Sequence, residues 1–526
     1  MTRTWQFAAL ILVAAVGALA IRLPRLNLRP MHTDEAVHAV KCDALWTTGR
    51  YVYDGRDYHG PTLNYFTLPS LWLSGAKDFA GTTEAVFRVV PVVFGGGLVL
   101  LLLWMGAGLG RSAAAWAALL TALSPAMVFY SRYYIQEIPL AFFTFGVILA
   151  GWRYARTGRV AWALAAGACL GLMHATKETC IIAWGAMAAA LIGVMLWSRW
   201  ADEPATPTSR PPVLTLRAIG AGVAAGMVVS VLCYSSFFTN LSGPADSVMA
   251  LVPYVTRAGG ESIHIHPWHY YLATLLYTHY SPGPVWTEAM IPLLALVGAA
   301  AVVTRRGIAG ADTGLVRFLV LYTVLMAGIY SAIPYKTPWC MVQFLQPMIL
   351  LAGVGAAALV RAAGSVPARA VVCALLAVGA SHLGRQAQAA DLRYYADNRN
   401  PYVYAQPVND VKRLADWIER LAAVHPDGRR MLVKAISPHP WPLPWYLRRM
   451  ERVGYWEEPP EDPHAPVVIV TSDLQPTLDP HIYEGYHTSH YGMRPGVVML
   501  VYVDRALWDE FARRLTTPAS DGRATR

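Results

Sequence analysis

The stretch MHTDEAVHAV, residues 31–40, sets Asp34 and Glu35 side by side a few residues after an apolar run, Trp5 to Leu23, that is long enough to cross a bilayer. Two carboxylates so near hydrocarbon need water or a partner, because an isolated charge inside a membrane is costly. The stretch also has a helical pattern. Asp34, His38 and Lys41 fall at i, i+4 and i+7, so a helix beginning at Thr33 would carry an acid, an imidazole and an amine on one face. Such a face can take a proton or hold a phosphate. The same residues also suit a plain helix start, with Thr33 as the cap and the two acids offsetting the dipole in the first turn.

The rest of the chain decides where this stretch lies. Of 526 residues, 55% are hydrophobic and 14% charged, against roughly a quarter charged in an ordinary soluble domain. Apolar runs of membrane-crossing length lie near 5–23, 86–105, 112–130, 138–155, 160–176, 179–198, 215–236, 286–304, 315–334, 339–360 and 367–384. These predict a polytopic α-helical membrane protein of about eleven transmembrane helices. The first run ends in GALA, which has the form of a signal-peptide cleavage site, but the ten runs behind it favour an uncleaved first helix. The segment GPTLNYFTLPSLWLSGA from Gly60 is broken by Pro61 and Pro69 and reads as an interfacial or re-entrant helix.

Charge then sets the sides. With eleven spans, Arg3, Arg111, RYARTGR, SRWADEPATPTSR, TRRG and RAAGSVPAR all face the cytoplasm, as the positive-inside rule requires. The N-terminus is then cytoplasmic, and the first loop (24–85), the large loop (237–285) and everything after about 385 are extracytoplasmic. Arg25 and Arg29 lie outside, against the rule. The net charge of +10 is scattered along loops, with no basic stripe interleaved with aromatics, so nucleic acid is not an expected partner. The six cysteines form neither a disulfide framework nor a CxxC motif. After 385 the composition becomes soluble. VNDVKRLADWIERLAAV reads as an amphipathic helix, and MLVKAI, PVVIVT and GVVMLVYV as buried strands, giving a small α/β domain over 386–526 with a disordered tail after Thr517.

The polar residues that interrupt the pattern collect on the outer face. Glu137 follows SRYYIQ and opens a membrane helix, where Pro139 suits the first turn. Two acids from separate loops, Asp34 and Glu137, could divide the roles of base and electrostatic support, or hold a divalent cation through oxygen ligands. Arg132, Lys177 and Lys336 are single basic groups at helix ends, which suits an anion at headgroup depth. Arg132 could equally snorkel toward anionic headgroups. His264, His266, His269 and His279 stand among tyrosines and tryptophans, a pattern commoner in membrane-surface helices than in metal sites.

These residues carry a resemblance. The acidic pair after the first span, HGPTLNYFTLPSLWLSG followed by TEAVFRVVPVVFG, then SPAMVFYSRYYIQE and GLMHATKET, resemble the GT-C membrane glycosyltransferases, in particular the branch of protein O-mannosyltransferases and aminoarabinose transferases. YSSFFTN and IPYKTPW resemble a prokaryotic subfamily labelled flippase-activity-associated. The resemblance covers roughly residues 1–385. It implies a hexosyltransferase (EC 2.4) of the cell inner or plasma membrane that moves a sugar from a polyprenyl-phosphate donor to an acceptor glycan, lipid or protein on the outer face. The first-loop acid of the family falls on Asp34, with Glu35 beside it. The second-loop acid falls on Glu137, where an aspartate is often found, and the family lysine on Lys177. The double proline common in aminoarabinose transferases is absent from GPTLNYF. On this reading Asp34, Glu35 and Glu137 carry the chemistry and Arg132, Lys177 and Lys336 hold the donor phosphate. His38, Lys41, Tyr53, His59 and Tyr335 line the pocket, and a divalent metal at Asp34 and Glu137 is the one cofactor to consider. No nucleotide-binding motif occurs. The alternative is a transporter of lipid-linked sugar that uses the same site without bond cleavage, for which mid-membrane charge and repeated halves would be expected.

Overall fold

All eleven apolar runs are helical in the computed structural model, which describes residues 2–55, 59–200, 215–250, 264–308 and 310–516. Eight of them are long and apolar enough to cross a membrane: Thr4–Arg22, Glu84–Leu109, Glu137–Thr157, Cys180–Trp200, Leu216–Tyr234, Thr313–Ala332, Pro338–Ala362 and Val366–Leu392. A ninth is Arg111–Leu123 with Pro125–Ser131, bent by 58° at Ser124. The two remaining helices, Val160–His174 and Met290–Val303, have 15 and 14 residues and span only about 20 Å each. The helix Thr62–Ser74, with 13 residues and Pro69 inside, is too short to cross.

The bend at Ser124 has a chemical cause. Ser124 caps the second segment and Pro125 sits at its first position, so the chain cannot continue the old ladder. The buried Glu288 carboxylate faces that new N-terminus, accepting from the Ser124 hydroxyl at 2.5 Å, the Ala126 N–H at 2.9 Å and the Tyr402 hydroxyl at 2.8 Å. Gly167 marks a different device. A Cβ there would lie 1.9 Å from the Gly222 carbonyl oxygen, so helices Val160–His174 and Leu216–Tyr234 touch backbone to backbone, the small-residue packing that membrane helices use in place of a hydrophobic drive. Gly167→Leu is therefore expected to lower the melting temperature in detergent. Gly185→Leu, where no heavy atom lies within 4 Å, leaves it unchanged.

By its internal contacts the chain forms two units. The first comprises Met1–Leu26, Ala44–Leu73 and Glu84–Tyr404, and holds all the membrane helices. A short hairpin, β1 (Thr278–His279) and β2 (Val285–Trp286), lies in its large loop. The second comprises Asn27–Asp43, Ser74–Thr83 and Ala405–Arg526. The division thus falls after Tyr404 rather than at 385. The last membrane helix runs on to Leu392, and Tyr402 and Asn400 bond back into the first unit through Glu288 and the Ala390 carbonyl.

The second unit is built on a five-stranded sheet of β3 (Val433–Ile436), β4 (Val453–Trp456), β5 (Val467–Thr471), β6 (Tyr486–Arg494) and β7 (Val497–Asp504), in the order β4-β3-β5-β7-β6. β3 runs parallel to β4 and β5, and β7 antiparallel to β5 and β6. The continuous apolar run PVVIVT is the central strand β5, every residue of which is buried. The expected amphipathic helix is Asp410–Ala422, with Val411, Leu414, Ile418 and Leu421 buried. Two pieces of the first loop belong to this unit. The Met31 N–H donates to the Tyr446 hydroxyl at 2.8 Å, the Gln406 amide to the Pro30 carbonyl at 2.8 Å, and Arg448 to the Thr82 carbonyl at 2.6 Å. The disordered tail expected after Thr517 concerns 517–526, outside the described residues.

Candidate active site

The acidic pair opens a helix, Thr33–Thr48, as its spacing predicts, but the cap differs from expectation. His32 takes the role given to Thr33: its carbonyl accepts the first helical bond from Ala36, and its Nδ1 accepts from the Asp34 N–H at 3.1 Å. Glu35 reaches back to the His32 N–H at 3.0 Å, the second half of a capping box. It is fully buried and lies 3.9 Å from Arg29, so that arginine has a carboxylate partner within its own unit. Asp34 differs from its neighbour. Its side chain is 43% exposed and the His32 ring lies 3.9 Å from it. The pair thus divides into a buried acid that closes the helix cap and a half-exposed one. His38 is buried on the same helix and Lys41 is partly buried.

In the first unit the residues of HGPT (59–62) and HATKET (174–179) are clasped together. The Thr62 N–H donates to the Ala175 carbonyl at 3.0 Å and the Thr62 and Thr176 hydroxyls meet at 2.8 Å. A Cβ at Gly60 would lie 2.2 Å from that same carbonyl, so only glycine allows the approach. This clasp orders two ionic groups on adjacent residues. The Lys177 ammonium donates to Glu137, which opens its helix and is buried, and the Gln343 amide donates to the Glu137 carbonyl at 2.9 Å. Tyr330 and Cys340 lie within electrostatic reach of both charges.

Beside it, the buried Glu178 accepts from the Tyr53 hydroxyl at 2.7 Å and meets His59 Nδ1 at 2.7 Å. Tyr53 and His59, expected as pocket residues, therefore converge on an acid that the sequence reading passed over although HATKET contains it. Burial pushes the Glu178 carboxyl up, but attraction to the His59 ring and the hydrogen bonds from His59 and Tyr53 hold it down at about 2. A carboxyl lowered on folding stabilises above its unfolded value and loses that contribution as pH falls through the folded one. The part that Glu178 supplies is thus expected to persist from neutral pH to about pH 4 and to vanish near pH 2. Thermal melts of wild type and Glu178→Gln check this by converging only at the acid end.

The basic residues separate in the same way. Arg132, expected on the donor phosphate, is instead tied to the end of the first helix: it donates to the carbonyls of Arg22 and Pro24, each at 2.8 Å, and its Nε lies 3.5 Å from Asp391. A guanidinium so occupied serves the fold. Lys336 is different. It is buried, and its ammonium donates to the carbonyls of Ile333 and, at 3.1 Å, His266. Among the described residues no carboxylate pairs with it. Burial lowers its affinity for a proton. Tyr335 beside it is 41% exposed. Of the loop histidines, His264 meets the Tyr404 hydroxyl at 2.5 Å and His266 stacks on Tyr270 at 4.3 Å. Among the described residues no three His, Cys, Asp or Glu converge as a metal would require. Next to Glu137 the position suited to a cation is taken by Lys177.

Residues 67–208, which include Glu137, Lys177 and Glu178, match the family described as dolichyl-phosphate-mannose-protein mannosyltransferase. No curated protein matches the chain. The fold recurs in solved structures. ArnT from Cupriavidus metallidurans, bound to undecaprenyl phosphate, gives a TM-score of 0.63 at 15% identity over 93% of this chain and 97% of its own. The archaeal oligosaccharyltransferase AglB from Archaeoglobus fulgidus, in complex with an inhibitory peptide and a dolichol-phosphate, gives 0.55 at 11% identity over 97% of this chain and 77% of its own. Identities this low carry the fold and no more.

Proposed function

We propose that the chain, whose fold recurs in ArnT and AglB, transfers a hexosyl group from a polyprenyl-phosphate donor to a hydroxyl of an extracytoplasmic glycan, lipid or protein. The observation that carries this reading is Lys336, a buried ammonium partnered among the described residues by carbonyls alone, which calls for an anion. The donor phosphate supplies one. The exposed Asp34 carboxylate takes the acceptor proton, the acceptor oxygen attacks the anomeric carbon, and the bond from that carbon to the phosphate oxygen breaks. Polyprenyl phosphate leaves with the bonding pair, and Lys336 offsets the charge that develops on it. Lys177, already balanced by Glu137, holds the Glu137 helix start and lends the leaving phosphate a smaller share of positive charge.

Reconstituted vesicles given radiolabelled polyprenyl-phosphate sugars test the reading. The expected result is labelled acceptor together with free polyprenyl phosphate. Labelled lipid that changes leaflet while no donor is consumed would establish transport instead. Sidedness follows the arginines: a cysteine at Gly158, beside Arg156 and Arg159, is expected to be labelled only from the cytoplasm, and one beside Asp34 only from the opposite side.

A further inference from the structure

Lys336 sits beside a continuous set of rings in the same unit. His264 stands 4.9 Å from Tyr335 and 5.5 Å from Tyr404, whose hydroxyl it also meets, and Trp339 packs behind Tyr404 at 5.9 Å. The backbone fixes this set, because the Lys336 N–H donates to the His264 carbonyl at 2.8 Å and the His266 N–H to the Pro334 carbonyl at 3.1 Å. Trp339 is buried, whereas Tyr335 is 41% exposed and His264 and Tyr404 are partly exposed. Tyr335 is thus an exposed phenol set against the hydrogen-bonded pair of His264 and Tyr404, on the residue next to Lys336 in the chain.

We propose that Tyr335, backed by His264 and Tyr404, is the platform on which the donor's sugar ring lies, and that it selects an uncharged sugar. The inference rests on the reading of Lys336 as the donor-phosphate group. Two observations carry it further. A sugar attached directly to that phosphate comes within one ring's width of Lys336, and Tyr335 is the next residue in the chain. The buried carboxylates of this unit are also already matched, Glu137 by Lys177, Glu178 by His59 and Tyr53, Glu288 by three donors and Asp391 by Arg132. A protonated amino sugar would therefore meet the positive Lys336 with no buried carboxylate among the described residues of this unit left unmatched to receive it, and like charges at such range repel. An uncharged ring presents C–H edges to the phenol at no such cost.

The test measures binding of three lipids to the full chain in nanodiscs: polyprenyl phosphate, the same lipid carrying an uncharged hexose, and the same lipid carrying an amino sugar. Wild type is expected to prefer the hexose lipid over the bare phosphate by about five- to tenfold, the worth of one aromatic contact, and to bind the amino-sugar lipid no better than the bare one. Tyr335→Ala abolishes the preference and leaves bare-lipid affinity unchanged, and Tyr335→Phe, which keeps the ring, retains it. A preference that survives Tyr335→Ala, or that favours the amino sugar, overturns the platform. Lys336→Met separates this failure from that of the underlying reading: if it leaves all three affinities unchanged, the phosphate assignment itself is wrong.

Discussion

Asp34→Asn is expected to reduce sugar transfer by about 10²- to 10⁴-fold while leaving the melting temperature of the protein unchanged, the range that loss of a general base produces. The two halves of this expectation have separate grounds. The fold does not depend on the Asp34 carboxylate, because its side chain is 43% exposed, the His32 ring lies no nearer than 3.9 Å, and the cap at this helix start uses the Asp34 backbone N–H rather than the side chain. The chemistry does depend on it in the proposed mechanism, since asparagine keeps the shape and cannot take a proton. Glu35→Gln is the matched control with the opposite outcome. That carboxylate is fully buried, closes the capping box on His32 and faces Arg29, so its loss removes roughly 1 kcal/mol of cap and leaves a less well-balanced arginine. It is expected to lower the melting temperature and to change turnover only in proportion to the folded fraction. Reversed outcomes, with Glu35→Gln inactive and stable and Asp34→Asn active, would transfer the role of base to Glu35.

That two adjacent acids differ in this way was not legible in MHTDEAVHAV. Their identities and the helix were, because both follow from local spacing. What divides them is the partner of Glu35, Arg29, and the burial of the helix start against a segment some four hundred residues away, where the Tyr446 hydroxyl accepts from the Met31 N–H and the Gln406 amide donates to the Pro30 carbonyl. Each of those bonds has a main-chain group on one side, and a main-chain group has no sequence signature. The same limit explains Arg132. A lone arginine at a helix end reads as a cation awaiting an anion, yet four carbonyls of residues 21–25 within 3.4 Å and Asp391 occupy it.

Hydropathy was a stronger guide than chemistry. All eleven apolar runs are helices, since twenty apolar residues in succession leave the backbone no other way to satisfy its hydrogen bonds in hydrocarbon. The three buried strands of the second unit were legible as apolar runs. β4, VGYW, and β6, YHTSHYGMR, were not, because they are the two edges of the sheet and nearly all their residues are at most partly buried, so neither alternation nor continuous apolarity marks them. Glu178 was missed for a third reason. In HATKET the lysine stands out as a cation outside the positive-inside pattern, whereas a glutamate in a loop draws no notice until Tyr53 and His59, more than a hundred residues earlier, are found donating to it.

The buried pair of Lys177 and Glu137 gives the second large effect, and it separates a structural from a functional role for the lysine. The two side chains are 9% and 3% exposed. Removing one partner strands the other charge away from water, at a cost of about 3–5 kcal/mol, whereas removing both can be nearly neutral. Lys177→Met and Glu137→Gln are therefore each expected to depress the melting temperature strongly, and the double variant to recover most of the loss. The second Glu137 oxygen, buried and without a hydrogen-bond partner among the described residues, loses little when glutamine replaces the carboxylate. The recovered double variant then isolates the chemistry. If Lys177 serves only to neutralise Glu137, transfer returns with stability. If it also lends charge to the leaving phosphate, as proposed, the folded double variant stays slow, and the deficit lies in kcat rather than in affinity for bare polyprenyl phosphate, because charge on the leaving oxygen grows only as its bond to sugar breaks.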